Sequence, residues 1–301
     1  MTDAIRTRGL TKVYRGGPTA VRELDLTVRV GEIFGFLGPN GAGKTTTIRI
    51  LLDLLRPTAG AAEVLGLDAR RAGVEARRRI GYLPGDLALY PKLTAQETLT
   101  YLGALRGGVP ERRIAALSER LGLDLDRPVG TLSHGNRQKV GLVQAFMHEP
   151  ELLVLDEPTG GLDPLLQQEF HRLVEEAAAA GRTVFLSSHV LSEVERVADR
   201  VGIIRAGSLV ALEEIAALKQ RATRRLDVEL ARPVDAAAFA RLPNVRTADA
   251  ERTLLHLVVE GPVDAVVKAL AEHEVVSITS HEPDLEEVFL DYYREDGARA
   301  R

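Results

Sequence analysis

The chain has 301 residues, 39 of them Lys or Arg and 43 Asp or Glu, for a formal net charge of -4. With 45 % apolar and 27 % charged residues it has ample material for buried cores, which excludes a disordered or collagen-like chain, and its length suits about two domains. Cysteine is absent, so disulfides, thiolate nucleophiles and cysteine-bound zinc are excluded too. The apolar runs fall far short of the ~20 residues of a membrane-spanning helix. The opening residues, Met1-Thr2-Asp3-Ala4-Ile5-Arg6, lack the apolar core of a secretory signal. Net negative charge without a basic stripe argues against a nucleic-acid partner.

In chain order, residues 22–30 alternate in strand fashion and 32–37 form a short apolar strand. Gly38-Pro39-Asn40-Gly41-Ala42-Gly43-Lys44-Thr45 follows, then Thr46 and helical spacing over 45–55, closed by Pro57. This fits the eight-residue phosphate loop at every required position and in the required strand–loop–helix setting. Glycines let the backbone wrap closely, so that several N–H groups converge on phosphate oxygens at a helix N-terminus. Lys44 would reach the β and γ phosphates, and the Thr45 hydroxyl would help to hold Mg²⁺. The competing reading is an inconsequential Gly-rich turn, and residue frequencies put such a chance match at about one in a hundred for a chain of this length.

Further along, Arg77-Arg78-Arg79 reads as a solvated face. Helices over 94–105, 111–121 and 138–148 make a mostly helical insertion at 84–149. Residues 152–155 are an apolar strand that ends in Asp156-Glu157, delivering two carboxylates to the edge where open α/β sheets bind ligands. Asp156 would hold Mg²⁺ through water, and Glu157 would position or deprotonate the attacking water. A helix over 164–180 precedes the strand 183–187, which ends in Ser188-His189, with another helix over 191–198. A lone histidine is ordinarily a solvated or capping residue. Here its strand is expected beside the Asp156 strand, which favours a contact of His189 with the γ phosphate. His148, His171, His256, His273 and His281 show no metal-ligand spacing and read as surface or locally hydrogen-bonded residues.

From residue 222 onward the chain carries 10 basic and 16 acidic residues. The boundary falls near the helical stretch 213–224, giving domains 1–221 and 222–301. The tail reads as strand 225–230, helix 234–242, strands 244–249 and 252–260, helix 262–273, strand 274–279 and a final helix 283–293. Apart from that last helix this is the βαββαβ order of a ferredoxin-like unit. The strand 254–259 is expected in its core. Phe289, Tyr292 and Tyr293 would pack the last helix onto its own sheet or onto a partner.

At this point residues 5–218 resemble the ATP-binding cassette (ABC) family, specifically the nucleotide-binding subunits of bacterial export transporters. Leu132-Ser133-His134-Gly135-Asn136-Arg137-Gln138 is similar to the family signature, commonly Leu-Ser-Gly-Gly-Gln. Tyr14 resembles the aromatic that stacks on adenine, Asp163 the acid of the loop after the acidic pair, and His189 the switch histidine. His134 and Asn136 depart from the signature, while Ser133 and Gly135 are kept. Gly85 stands where the family usually has a Gln, with Asp86 next to it.

The resemblance implies an α/β P-loop cassette with a helical subdomain, followed here by the small α+β tail. It also implies ATP and Mg²⁺, and a homodimer or pseudo-dimer in which ATP lies between one copy's phosphate loop and Ser133 and Gly135 of the other. A separate transmembrane permease and a place on the cytoplasmic face of the cell membrane are implied as well. The acidic tail resembles those of daunorubicin-type exporters. The alternative is a soluble cassette ATPase of translation or DNA maintenance, whose members carry two cassettes or a long coiled coil. A kinase or GTPase is disfavoured by the signature and His189.

Overall fold

The computed structural model describes residues 3–221 and 223–281, so the helix expected at 283–293 lies outside the described residues. Two compact units are formed, Met1–Leu212 and Glu213–Arg301. Compactness thus changes inside a strand, slightly before composition does.

The first unit begins with strands β1 (Asp3–Val13), β2 (Thr19–Arg29) and β3 (Ile33–Leu37), then helix α1 (Lys44–Leu51). Short strands β4 (Ala59–Val64) and β5 (Leu67–Asp68), helix α2 (Gly73–Arg78) and strand β6 (Ile80–Leu83) follow. Helices α3 (Ala95–Ala104), α4 (Glu111–Arg120) and α5 (His134–Phe146) fill the insertion. The chain returns through β7 (Leu152–Asp156), α6 (Pro164–Ala179), β8 (Thr183–Ser188), α7 (Leu191–Val197), β9 (Arg200–Arg205) and β10 (Ser208–Glu214).

Strands β3, β7 and β8 are buried along their whole length. Apolar runs of that kind suit a parallel sheet covered on both faces. They lie in a six-stranded sheet of order β10-β9-β3-β8-β7-β6, in which β3, β7 and β8 run parallel. Leu37 is in register with Ser188, and Asp156 with Ser187, so three chain-distant strand ends meet at one edge. Phe34, Phe36 and Phe185 anchor this sheet with ring centroids 5.4–5.8 Å apart. Each is fully buried and contributes about 1.5–3 kcal/mol by leaving water. Gly35 between the first two is required by close packing, since a Cβ there would lie 2.1 Å from Val194 of α7. A second, four-stranded sheet of order β2-β1-β4-β5 was not anticipated beyond its β2 strand.

Helix starts follow local chemistry. Thr94 and Glu97 form a reciprocal capping box for α3. Asp163 caps α6, with Pro164 at its first position.

Two expectations are corrected here. Arg77 and Arg79 are not merely solvated: Arg77 donates to the Leu52 carbonyl beside Asp53, and Arg79 makes two hydrogen bonds of 2.6 Å to Glu151. These bonds join α2 and its exit to α1's exit and to the start of β7. His171 is 6 % exposed rather than on the surface, and burial lowers its pKa. It lies on the apolar stripe of α6, beside Phe170.

The second unit contains α8 (Ile215–Arg221), β11 (Thr223–Leu230), α9 (Ala236–Ala240), β12 (Val245–Glu251), β13 (Leu254–Glu260), α10 (Asp264–Leu270) and β14 (Val275–His281). Its antiparallel sheet has the order β12-β13-β11-β14. Leu226, Val228, Leu255, Leu257 and Val259 are buried with Phe239 of α9 and with Val266 and Leu270 of α10. On the strands' other face His256 and His281 bond the two oxygens of Asp227, at 2.6 and 2.8 Å, and hold its pKa below the usual carboxylate value.

His148 locks the helical insertion to β6. Arg106 donates to the Arg77 and Ile80 carbonyls and, at 2.9 Å, to His148 Nε2, which requires a neutral ring. Burial, then the Arg106 charge, push the imidazole pKa down to about 4. The unfolded chain takes up that proton near pH ~6.5, so this contribution to stability is complete above about pH 6.5 and is lost as pH falls toward 4. His148→Gln keeps an acceptor for Arg106 without a titrating ring. Urea midpoints of this variant should fall less steeply than those of wild type between about pH 6.5 and 4; parallel curves would remove His148 from the acid response.

Candidate nucleotide site

The site is built from the ends of β3, β7 and β8 and the start of α1. Between β3 and α1 the chain turns through Gly43, which has a φ of 111°. A Cβ at Gly43 would lie 2.3 Å from the Ala20 carbonyl oxygen, and one at Gly38 2.3 Å from that of Ile204. Glycine is therefore dictated by space at both positions, and at Gly43 by backbone conformation as well. No side chain caps α1, and no acid stands in its first turn. Its first amides are left for an anion.

Lys44 opens α1 and is 5 % exposed. Its ammonium donates to the Gly38 and Pro39 carbonyls at 2.6 and 3.3 Å, and lies 3.1 Å from Glu157 Oε1. The other oxygen of Glu157 is 2.6 Å from His189 Nδ1. One carboxylate thus bridges an ammonium and an imidazole. Glu157 holds a φ of 50°, a left-handed conformation that costs a β-carbon residue about 1–2 kcal/mol. Its amide is tethered to the Ser187 carbonyl and hydroxyl, both at 3.2 Å, which fixes the turn out of β7.

Next to it, Asp156 is fully buried. One of its oxygens accepts the Thr45 hydroxyl at 2.8 Å and the other the Ser187 hydroxyl at 2.6 Å. Among the described residues no group of three or more His, Cys, Asp or Glu is arranged to hold a metal alone. The hydroxyl–carboxylate pair nevertheless fits Mg²⁺, which takes hard oxygen ligands, commonly one or two carboxylates with phosphate oxygens and water.

Lys44, Thr45, Asp156, Glu157 and His189 are thus joined in one hydrogen-bonded cluster beside Gly38–Gly43. Tyr14 projects a 40 % exposed ring, with the Lys12 ammonium 5.4 Å from the ring centre and the Tyr14 hydroxyl 3.5 Å from Thr46 Oγ1. Ser133 is the cap of α5, its hydroxyl accepting the Asn136 amide at 3.3 Å. Gly135 packs on the loop after the acidic pair, where a Cβ would be 2.5 Å from the Gly161 carbonyl oxygen. Asp163, at the end of that loop, is engaged as the α6 cap. Among the described residues no hydrogen bond joins Ser133 or Gly135 to the phosphate loop. His134 and Gly135 lie instead against Gly161 of the loop after the acidic pair.

A Cβ at Gly85 would come within 3.5 Å of Asp156 Oδ2, the oxygen that accepts the Thr45 hydroxyl. Sequence reading missed Ser187, Ser188, Thr159 and Glu193. Their only signal is a polar pair closing a buried strand, and a threonine and a glutamate near the acidic pair and His189.

A Cβ added at Gly41, whose φ is 80°, would meet open space, whereas one at Gly43 would not. Gly41→Ala should cost about 1 kcal/mol of stability, and Gly43→Ala about 1–3 kcal/mol together with nucleotide affinity. Urea unfolding and nucleotide titration of both variants check the contrast; equal effects would contradict it.

Residues 21–160 match the family model for the ABC transporter. The chain is 43 % identical over 235 residues to the bacitracin transport ATP-binding protein BcrA of Bacillus licheniformis, covering 76 % of each chain. Among solved structures, an ATP-binding subunit of an ABC transporter aligns with a TM-score of 0.67 and 31 % identity, over 72 % of this chain and 92 % of that one. The ATP-binding cassette MJ0796, described as a dimer in a post-hydrolysis state with ADP and phosphate, shares the fold at a TM-score of 0.64 and 23 % identity, over 70 % of this chain and 98 % of that one. The chain therefore belongs to the ATP-binding subunits of ABC transporters.

Proposed function

We propose that this chain drives an exporter whose membrane-spanning part is a separate polypeptide, and that Lys44, Thr45, Asp156, Glu157 and His189 carry its ATP hydrolysis. The observation that carries the proposal is the Glu157 carboxylate, shared between the buried Lys44 ammonium and His189. In this reading the phosphate loop and Thr46 receive the phosphates through backbone amides and a hydroxyl, and Lys44 leaves the Gly38 carbonyl for the β and γ oxygens. Thr45 and Asp156 hold Mg²⁺, which neutralises charge developing on the phosphates. Glu157 accepts a proton from the attacking water, and His189 orients Glu157. Tyr14 offers its exposed ring to the base.

Two copies complete the site. The exposed tip of α5, with Ser133 and Gly135, has no acid in its first turn and presents its dipole and amides to a partner's γ phosphate. The dimeric description of MJ0796 supports this arrangement. ATP then acts as an adhesive between copies, and hydrolysis removes the charge that joins them. Among the described residues no helix is long and apolar enough to cross a membrane. Similarity to a bacitracin transport subunit supports docking on a membrane permease at its cytoplasmic face, with a drug, lipid or other amphipathic cargo. Gly85 supplies no side chain to Mg²⁺ or to water, so sensing of the permease in this chain would use other residues of the insertion.

Glu157→Gln should bind ATP, accumulate a dimer and turn over about 10²–10³-fold more slowly, because lost proton acceptance weighs on the transition state rather than on binding. Lys44→Ala should lose nucleotide affinity as well. Steady-state ATPase assays with nucleotide titration and size-exclusion chromatography check both; full turnover in Glu157→Gln would overturn its role.

A further inference from the structure

We infer that Glu193 is a positioning residue for hydrolysis, a single carboxylate that holds the loop leaving β7 and the turn leaving β8 in one fixed relation. Its Oε1 accepts the Thr159 hydroxyl at 2.6 Å, and its Oε2 accepts the Ser188 hydroxyl, also at 2.6 Å. Thr159 and Ser188 are 5 % and 0 % exposed, so neither hydroxyl has water as a ready substitute partner. Both are donors to Glu193, and the Ser188 oxygen in turn accepts the Val190 amide at 2.9 Å. Two charge-assisted bonds of this length to buried hydroxyls are stronger than ordinary side-chain contacts, and leaving the hydroxyls unmet is costly.

What the clamp joins gives it a consequence for the chemistry. Thr159 stands two residues after Glu157, in a turn closed by the Gly160 amide on the Glu157 carbonyl and the Leu162 amide on the Thr159 carbonyl. Ser188 immediately precedes His189, and its carbonyl accepts the amide of Gly38, the first residue of the phosphate loop. The Glu157–His189 contact of 2.6 Å spans the same two segments. Glu193 is thus a further tie between them, beyond the Ser187 bonds at the strand ends and outside the reacting groups. Sited in the first turn of α7, its charge is also favoured by that helix's N-terminal dipole. With the tie cut, the Ser187 bonds still hold the strand ends together. The His189 turn and the loop after Glu157 lose the restraint that fixes them beyond those ends, and the Glu157–His189 contact alone sets their relation there. A carboxylate that has to find its geometry on every turnover loses rate rather than affinity. A 1 Å misplacement of this kind is sufficient for a loss of one to two orders of magnitude, about 10²-fold at the upper end.

The inference rests on the roles assigned above to Glu157 and His189, and the test separates the two. In the full-length chain, Glu193→Gln should lower kcat about tenfold, leave KM for ATP within about twofold, and leave the melting temperature within a few degrees. Thr159→Val combined with Ser188→Ala removes the donors instead of the acceptor, and should reproduce the same kcat loss. Adding Glu193→Gln to that pair should cost nothing further. His189→Ala should cost less in the Glu193→Gln background than in wild type, since part of its alignment is already gone. An unchanged kcat in both clamp variants would overturn the inference. So would full additivity with His189→Ala, or a loss of kcat that tracks KM and melting temperature together. Glu157→Gln is assayed alongside: if it retains turnover, the catalytic reading itself fails. If it stops turnover while the clamp variants work normally, only the inference about Glu193 fails.

Discussion

A buried ammonium organises this cassette. Lys44 is almost wholly removed from water, and an unpaired charge in such a place would cost several kcal/mol. Carbonyls of Gly38 and Pro39 and one oxygen of Glu157 compensate it. Those partners come from the loop after β3 and from the end of β7, so the charge is tolerable only when the parallel sheet has formed in register. The same geometry leaves Lys44 with replaceable partners. In the proposed mechanism the anionic oxygens of a triphosphate take the place of these partners, Glu157 among them, and Glu157 is then free to face water.

The network around the lysine grows outward in layers of decreasing charge. Glu157 touches Lys44 and His189, and Asp156 takes two hydroxyls. Ser187 ties both acids to β8 by donating to one side chain and accepting the next residue's amide. Each layer restrains the one inside it. The left-handed backbone at Glu157 persists because these bonds over-determine it.

Much of this was legible in the chain itself. Gly38 to Thr45 carries a spacing that few other structures require, and Asp156-Glu157 closes an apolar strand too short to be anything but buried. The order of elements in the tail could be read from alternation and turn residues, and β11 to β14 form one sheet. What could not be read is partner choice. Nothing in the spacing of Thr159, Ser188 and Glu193 announces that one carboxylate takes both hydroxyls, because that depends on where α7 lands on the sheet. For the same reason Arg77 and Arg79 looked like a solvated run, although Leu52 and Glu151 lie within their reach only after folding. His171 carried a polar name on an apolar stripe, and the stripe decided its place. The first four-stranded sheet was hidden because its strands alternate weakly and are stitched by antiparallel pairs with several register shifts.

The phosphate loop is laced to its surroundings on both flanks: the Gly38 amide bonds the Ser188 carbonyl, and the Ala42 carbonyl accepts the Gly207 amide, itself followed by a bond from Arg22 to the Gly207 carbonyl. The curvature of this cradle is thereby a property of the scaffold, sustained by main-chain contacts that no guest supplies. An incoming nucleotide meets a surface already ordered, so little of its binding free energy is consumed in immobilising backbone. Affinity and the stiffness of the β9–β10 turn are therefore linked quantities. A loosened turn around Gly207 would weaken capture of ATP without touching any atom that contacts it.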